Sequence, residues 1–170
     1  NLACTFCHGT RRPIRYVNTE EFRLVLSKLQ GNCDYLYFHL MGEPTLHPLL
    51  GEFIKAARDK GFLPAITTNG SLLSKRGAEL LEVLPYKISV SLHAPNDEIR
   101  RQTMPIARVY PMEELLKACR NYIDKTGRRV IFEYALVDKL NEGGQLEQAG
   151  GMPLGKINAD LAFLAVFYIA

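Results

Sequence analysis

Hydrophobic positions along the chain alternate between short continuous runs and helical spacing. The continuous runs are typical of strands that are buried on both faces. They are YLYFHL (35–40), LPAITT (63–68), KISVSL (87–92) and RVIFEYAL (129–136). Between these runs, apolar residues recur at i, i+3, i+4 and i+7, which predicts amphipathic helices. Strands that alternate with helices predict an α/β protein built on a parallel sheet.

Capping residues mark where some of the predicted helices begin and end. Asn18 is predicted to cap the first helix with Glu21 as its capping-box partner, and Gly31 is predicted to follow that helix. Ser74 is predicted to cap a third helix that runs toward Leu84. The helix faces predicted to pack in the core are Phe22, Val25, Leu26 and Leu29, then Leu50, Phe53, Ile54 and Ala57, and then Met112, Leu115, Leu116, Cys119 and Ile123.

The residues that directly follow three of the predicted strands are small, polar or charged. These stretches are MGEP (41–44), TNG (68–70) and HAPND (93–97). Doubly wound sheets and (β/α) barrels both fit the order of elements, and both bind ligands at the carboxyl ends of their parallel strands. The pattern therefore predicts one functional rim formed by three successive strand ends.

Composition places the chain among ordinary globular domains. It has 170 residues, of which 47% are hydrophobic and 23% charged, so a core can form without disulfide staples. The formal net charge of +3 is too small to indicate nucleic-acid binding by itself. No segment resembles a signal peptide, and the longest apolar run (161–170) is shorter than a membrane-spanning helix. We therefore expect a cytoplasmic protein that does not enter a membrane.

The spacing of the cysteines supplies the first chemical clue. Cys4 and Cys7 form a Cys-x-x-Cys pair, whereas Cys33 precedes a strand and Cys119 lies on an apolar helix face, so these last two are interpreted as structural. A tetrahedral zinc site needs four ligands. A thioredoxin-type redox pair follows a strand, and almost nothing precedes this pair. An iron–sulfur cluster uses thiolates at this spacing, but usually three or four of them. The spacing alone leaves these interpretations open.

Two motifs carry a resemblance to a known family. The stretch NLACTFC (1–7) resembles the signature of the radical S-adenosylmethionine (SAM) superfamily, Cys-x-x-x-Cys-x-x-Cys, with the first cysteine position falling immediately before Asn1. MGEP resembles the superfamily's Gly-Glu-Pro motif. The resemblance implies a partial (β/α) TIM-type barrel that lacks its first strand, with residues 1–141 as the radical SAM core. Residues 142–170 are an unassigned tail, in which LAFLAVFYIA (161–170) is the last strand of the barrel or the start of a buried helix.

The resemblance to this superfamily implies a [4Fe–4S] cluster and SAM as cofactors. Cys4 and Cys7 match the second and third cluster ligands. The positions that match SAM-binding segments are Phe6 beside the adenine, Gly42, Glu43 and Pro44 at the methionine end, Thr67 and Asn69 after one strand, and Ser91, Leu92 and His93 after the next. No catalytic residue is assigned by the resemblance.

The same positions also have structural interpretations. The Gly-Glu-Pro stretch suits a turn, although a carboxylate between glycine and proline is unusual in a plain turn. Residues 67–69 are typical of strand-end and turn chemistry. Ser91 and His93 are also typical of satisfied polar groups beneath a loop. Glu133, inside an apolar strand, either lines the barrel or faces outward, and it is not assigned.

Residues 89–141 resemble a narrower group, the radical SAM methyltransferases that act on adenine in ribosomal and transfer RNA. The match runs from SVSLHAPNDEIRRQTMP to RRVIFEYALVD. The MGMGEP and STSG variants of that group are replaced here by LMGEP and TTNG, and no cysteine after Cys119 matches its methyl-carrying cysteine. The favoured function is RNA adenine methylation that depends on reductive cleavage of SAM to a deoxyadenosyl radical. Radical SAM modification of a peptide or small molecule, and an inactive truncated or chimeric domain, are the alternatives.

The resemblance also sets expectations about partners. A flavodoxin- or ferredoxin-like protein would supply the electron, and RNA would be the substrate of the favoured function. The oligomeric state is not specified by the sequence. Because the chain supplies only two of the cluster cysteines, the isolated chain is expected to have weak activity or none.

Overall fold

The computed structural model describes residues 4–7, 13–39, 42–135, 141 and 161–166. Five α-helices, five strands and two short 3-10 helices are described in these ranges. Helices and strands alternate as far as the third strand, and two α-helices then separate the third strand from the fourth. The α-helices are α1 (Thr19–Leu29), α2 (Leu50–Asp59), α3 (Leu73–Val83), α4 (Asp97–Thr103) and α5 (Met112–Thr126). The strands are β1 (Tyr35–Phe38), β2 (Leu63–Thr68), β3 (Lys87–Ser91), β4 (Val130–Ala135) and β5 (Leu161–Val166).

The strands form one sheet in the order β1-β2-β3-β4-β5, and every neighbouring pair is parallel. A doubly wound sheet reverses its strand order at a switch point, whereas this order is strictly sequential. Because parallel crossovers are right-handed, strands added in one direction place their helices on one face of the sheet. The described sheet is therefore a partial (β/α) barrel, which confirms the predicted fold class. The run at 161–166 is a strand and not a helix.

The hydrophobic core lies between the helices and one face of the sheet. Its larger cluster joins α2, α3 and α5 to alternate residues of β2, β3 and β4, and these strand residues are Ile66, Ile88, Val90, Val130 and Phe132. A second cluster joins α1, α2 and β1 through Phe22, Leu26, Phe53 and Ala57. The predicted core faces are confirmed except at Val25, which is 44% exposed. Side chains on the opposite face of the sheet are thereby left to line the concave side.

The predicted capping box at the start of α1 is present. The Asn18 side chain accepts a hydrogen bond from the Glu21 amide at 2.9 Å, and the Glu21 carboxylate accepts one from the Asn18 amide at 3.0 Å. The prediction that Ser74 caps the third helix is wrong. The helix begins earlier, at Leu73, because the turn in which the Leu73 amide donates to the Gly70 carbonyl at 3.0 Å runs directly into it. Ser74 therefore lies inside the first turn, and the Arg76 amide, which a serine cap at position 74 would serve, donates to the Leu72 carbonyl at 2.8 Å.

Strand β1 departs from the predicted burial on both faces. Tyr35 and Tyr37 are about half exposed, whereas Leu36 and Phe38 pack against the helices. The difference follows from position, because β1 is the edge strand of the described sheet and has only β2 beside it. Within the described residues, no helix is long and apolar enough to cross a membrane.

Candidate functional site

The carboxyl ends of β1 and β2 are joined through one buried carboxylate. Glu43 lies just after β1, and its Oε1 accepts hydrogen bonds from the Thr45 amide at 3.0 Å, from Thr45 Oγ1 at 2.5 Å and from Thr68 Oγ1 at 2.7 Å. Its Oε2 accepts from the Asn69 amide at 2.8 Å and from Asn69 Nδ2. Five donors therefore use both oxygens, so the Glu43 side chain is an anchor between two strand ends.

The side chains of residues 68 and 69 build the turn after β2, which is the structural role that their residue types also predicted. Thr68 Oγ1 accepts from the Gly70 amide at 3.0 Å, and Asn69 Oδ1 accepts from the Ser71 amide at 2.8 Å. Gly70 has a φ of +78°, and a Cβ there would lie 2.1 Å from a Leu115 methyl carbon. The backbone at this position therefore favours glycine, and any larger residue would also force the buried Leu115 side chain of α5 to shift.

An arginine that no motif in the sequence marks holds the segment after the Gly-Glu-Pro stretch. Gly42 has a φ of +115°, and Pro44 opens a 3-10 helix, Pro44–Leu46. From α3, Arg76 Nη1 donates to the carbonyls of Thr45 at 2.8 Å and His47 at 2.5 Å. These bonds fix the backbone that follows Glu43. The signal in the sequence is weak, because an arginine on a helix is usually solvated.

The concave face of the sheet is polar near the same rim. Thr67 and Ser91 alternate with the core residues Ile66 and Val90, so they face the side opposite the helices. Glu133, which was not assigned from sequence, lies beside Ser91 in the register of β3 and β4. It is half-buried and accepts a hydrogen bond from Thr67 Oγ1 at 3.3 Å. Glu133 therefore lines the concave side.

His93 lies directly after β3 in a left-handed backbone conformation, with a φ of +54°. Its Nδ1 accepts a hydrogen bond from the Ala135 amide at 2.9 Å, so the neutral ring carries its proton on Nε2. Burial lowers the pKa of His93 to about 4, and the positive charge of Arg100 adds to this effect. The Leu92 side chain packs in the core between sheet and helices, so the structure does not bring it to the rim.

The cysteine loop lies against the end of β3. Cys4 and Cys7 are joined by a turn in which the Cys7 amide donates to the Cys4 carbonyl at 3.0 Å. The Phe6 ring meets the His93 ring edge to face, with centroids 4.9 Å apart. The Thr5 amide donates to a carbonyl of α4 at 3.0 Å. Burial and the neighbouring Cys7 raise the pKa of the Cys4 thiol. The structure thus brings the predicted cysteine pair to the predicted rim.

A buried arginine lies in α4, the helix that the cysteine loop contacts, and the sequence pattern did not identify it as a site residue. Arg100, in α4, has no exposed surface, and its Nη1 donates to the Tyr110 carbonyl at 3.0 Å. Its Nη2 reaches the Asn69 carbonyl at 3.4 Å, whereas its Nε has no partner among the described residues. Its positive charge lowers the pKa values of Cys4 and His93, against the larger effect of burial on Cys4. The helical spacing of Ile99, Arg100 and Thr103 is the signal that places it on a buried face.

The two other cysteines lie away from this rim. Cys33 is exposed in the turn before β1, at the amino end of the strands, and Cys119 is buried in α5. Burial raises the pKa of Cys119 to about 12, so it is a protonated core thiol, as predicted. Across the described ranges, no group of three or more His, Cys, Asp and Glu residues is arranged to hold a metal ion. The metal-ligating thiols that the rim offers are therefore Cys4 and Cys7.

Thiol labelling should separate these environments. We expect a maleimide to modify the exposed Cys7 and Cys33 first, and to modify Cys119 on the order of a hundredfold more slowly, because a buried protonated thiol reacts only when the core opens. Mass spectrometry of peptides from native and urea-unfolded chain measures each rate. Cys33→Ser is the control and should remove one fast label. Labelling of native Cys119 at the Cys33 rate would contradict the core placement.

Fold and site together define the class of protein. The chain is a partial (β/α) barrel whose cysteine loop, Gly-Glu-Pro segment and strand-end polar residues meet at the carboxyl ends of parallel strands. The radical SAM superfamily model matches residues 1–144. The chain therefore belongs to the radical SAM superfamily, as its cysteine motif predicted.

Sequence relatives share a narrower name. The probable dual-specificity RNA methyltransferase RlmN of Caldanaerobacter subterraneus is 61% identical over 153 residues, which cover 84% of this chain and 44% of that protein. A protein of the same name from Alkaliphilus oremlandii is 56% identical over 152 residues, covering 83% of this chain and 44% of that protein. This chain thus spans about 44% of the length of these curated relatives.

Solved structures share the fold. A radical SAM methyltransferase from Sphaerobacter thermophilus is similar with a TM-score of 0.71 and 26% identity, over 98% of this chain and 52% of that chain. Streptococcus suis SuiB bound to its precursor peptide SuiA gives a TM-score of 0.77 at 16% identity, over 99% of this chain and 37% of that chain. At that identity the second likeness is one of fold alone.

Proposed function

We propose that this chain is the core of a radical SAM methyltransferase that acts on adenine in RNA. The observation that carries the proposal is the contact between the cysteine loop and the strand-end rim, where Phe6 packs on His93 at the end of β3 and Glu43 joins the ends of β1 and β2. The names of the relatives at 56–61% identity support RNA methylation within the superfamily. The proposal covers the activity of the longer proteins, of which this chain matches less than half.

The ligands that the rim offers are cysteine thiols, and this ligand type fits an iron–sulfur cluster. Cys4 and Cys7 present two thiols on one turn, close to the buried positive charge of Arg100, which suits an anionic thiolate-bound group. Cys33 and Cys119 cannot complete the set, because one lies at the opposite end of the strands and the other is in the core. The chain therefore supplies two of the ligands, and three or four thiolates are usual.

The bound cofactors would supply one-electron cleavage of SAM to a deoxyadenosyl radical, and the chain would position them. In this proposal Cys4 and Cys7 hold the cluster. Because the Glu43 oxygens are occupied by Thr45, Thr68 and Asn69, the main chain of residues 42–44 is the part of this segment that would meet the methionine end of SAM. The anchor keeps that main chain in place.

The other predicted residues would act from β2, β3 and the cysteine loop. Thr67 and Ser91 present hydroxyl groups on the concave side, and Phe6 presents an aromatic ring for the adenine. His93 stays neutral at pH 7, so its Nε2 offers a hydrogen-bond donor without a charge. Asn69 would contribute through its position in the turn, since its side chain binds Glu43 and Ser71.

Anaerobic reconstitution tests this proposal. Three proteins are compared: this chain, the chain with a cysteine added before Asn1, and that extended chain with Cys4→Ser and Cys7→Ser. We expect about four irons per chain, and deoxyadenosine from SAM under reductant, only in the extended protein with all cysteines present. The present chain should hold little iron, because two thiolates do not complete a cluster site.

Substrate class is tested in the same preparation. The extended core is supplied with an RNA transcript containing an unmodified adenine target, and separately with a peptide, and SAM consumption is followed with each. Faster deoxyadenosine formation with RNA supports the proposed substrate. The extended protein could also bind iron and cleave SAM at a rate that the peptide raises and the RNA does not. That result would replace RNA methylation with peptide modification as the proposed function. Absence of iron in every protein would overturn the cluster assignment of Cys4 and Cys7.

A further inference from the structure

We propose that Asn141 is a positioning residue that fixes the segment Ser91–His93 at the rim. Nothing in the sequence pattern marks this asparagine, which opens a glycine-rich stretch. The inference about local geometry stands on the contacts of Asn141. That the segment Ser91–His93 would hold SAM rests on the function proposed above.

Asn141 bridges the ends of β3 and β4. Its side-chain Nδ2 donates to the His93 carbonyl at 2.8 Å and to the Ala135 carbonyl at 2.7 Å. Its own carbonyl accepts a hydrogen bond from the Tyr134 hydroxyl at 3.1 Å. Asn141 has no exposed surface, so water does not compete for these bonds. Asn141, six positions beyond the end of β4, is thereby attached to the ends of both strands at once.

The backbone that Asn141 holds is an unfavourable one. His93 adopts a φ of +54°, a left-handed conformation that is unfavourable for a residue other than glycine. Such a conformation persists where neighbouring contacts determine it. The His93 amide reaches the Glu133 carbonyl only at 3.4 Å, so the short Asn141 bond to the His93 carbonyl is the stronger fixed point on the far side of the residue.

The conformation matters because it directs the imidazole. With the backbone in this state, His93 Nδ1 accepts from the Ala135 amide at 2.9 Å and the ring meets Phe6 of the cysteine loop. On the other side of Ala135, the Asn141 side chain donates to the Ala135 carbonyl. The two residues therefore clamp the same β4 end, and losing Asn141 frees both the carbonyl of His93 and the end of β4.

Asparagine has the chemistry that this place requires. One planar amide nitrogen carries two hydrogens, and each hydrogen meets one carbonyl. Aspartate has the same shape but no donor, so it would set a carboxylate against two carbonyl oxygens in a buried position. Alanine would leave both carbonyls without this partner.

The test measures local order in the chain without cofactors. Asn141→Ala is compared with the parent by amide hydrogen exchange and by 15N NMR of the histidine rings. We expect the Ala135 amide to exchange on the order of tenfold faster or more, and the His93 Nδ1 signal to lose the shift caused by its hydrogen bond. Asn18→Ala is the matched control, since Asn18 also uses its side chain to bind backbone, but at the start of α1. It should leave both signals unchanged.

A double-mutant comparison tests whether Asn141 stabilises the fold through the His93 backbone, which a general loss of stability would not show. Glycine adopts the left-handed conformation without strain, so His93→Gly removes the need for a fixed point there. Asn141→Ala should therefore reduce the folding equilibrium constant by a smaller factor in a His93→Gly background than in the parent. Equal factors in both backgrounds, or parent-like Ala135 exchange in Asn141→Ala, would overturn the proposal.

A measurement on the parent keeps the proposal testable if Asn141→Ala does not fold. The two side-chain amide protons of Asn141 should exchange at least about tenfold more slowly than those of the exposed Asn32. Exchange at the Asn32 rate would contradict the two bonds. Because none of these experiments uses SAM or iron, a failure of the proposed function would leave their outcome unaffected, and the reverse also holds.

Discussion

Replacing Glu43 with alanine is expected to destabilise the fold by about 3–5 kcal/mol, which makes it the most damaging single change considered for this chain. The Glu43 carboxylate accepts hydrogen bonds from five donors on Thr45, Thr68 and Asn69, and those donors are buried. Alanine would leave them without a partner in the protein interior. Urea unfolding followed by circular dichroism measures the free energy of unfolding of each variant.

Two variants control this expectation. Glu52→Ala removes an exposed carboxylate in the first turn of α2 and should change the free energy of unfolding by no more than about 0.5 kcal/mol. Glu43→Gln keeps the shape and one acceptor oxygen but turns an amide group toward donors, so it should fall between the parent and Glu43→Ala. If the free energies of unfolding of Glu43→Ala and Glu52→Ala differ by less than about 1 kcal/mol, the carboxylate is not the anchor that its contacts indicate.

Acid should destabilise the chain through His93. The folded pKa of His93 is about 4 and its ordinary value is 6.5, so the unfolded chain binds the proton first as the pH falls. This contribution to stability is complete above about pH 6.5 and is lost progressively as the pH falls toward 4. The full span corresponds to roughly 3 kcal/mol of unfolding free energy. Urea unfolding at pH 7 and at pH 4.5 measures most of it.

His93→Asn isolates this effect from that of the acidic residues. Asparagine tolerates the left-handed backbone and offers an oxygen to the Ala135 amide, but it does not titrate. The stability difference between pH 7 and pH 4.5 should therefore be smaller in His93→Asn than in the parent. His39→Asn, at an exposed position after β1, should keep the parent's dependence. The same loss at low pH in the parent and in His93→Asn would show that His93 is not buried in the neutral form.

The chain order of helices and strands could be predicted because each element is set by local periodicity and local caps. The Asn18 capping box and the apolar faces of α2 and α5 are fixed by residues three or four positions apart, so the sequence displays them directly. Ser74 shows where local rules fail. Helix α3 begins in the turn at Gly70, where the Leu73 amide donates to the Gly70 carbonyl, and that turn depends on the folded end of β2.

The location of the site was also predictable, and its internal roles were not. Parallel strands gather their carboxyl ends at one edge, so the residues after β1, β2 and β3 had to meet once the strand order was sequential. The sequence could not show that Glu43 and Asn69 bind each other, because they are 26 positions apart. The same holds for Asn141, which lies 48 positions from His93.

Periodicity, spacing and chain order are local properties, and they are enough to predict the class of fold, the cysteine pair and the rim where its chemistry lies. The folded contacts show which polar side chains hold the rim together and which face the concave side. Glu43 and Asn141 are of the first kind, and Thr67 and Ser91 are of the second. The physical reason is burial, because a polar group removed from water must find its partner wherever the fold has placed one.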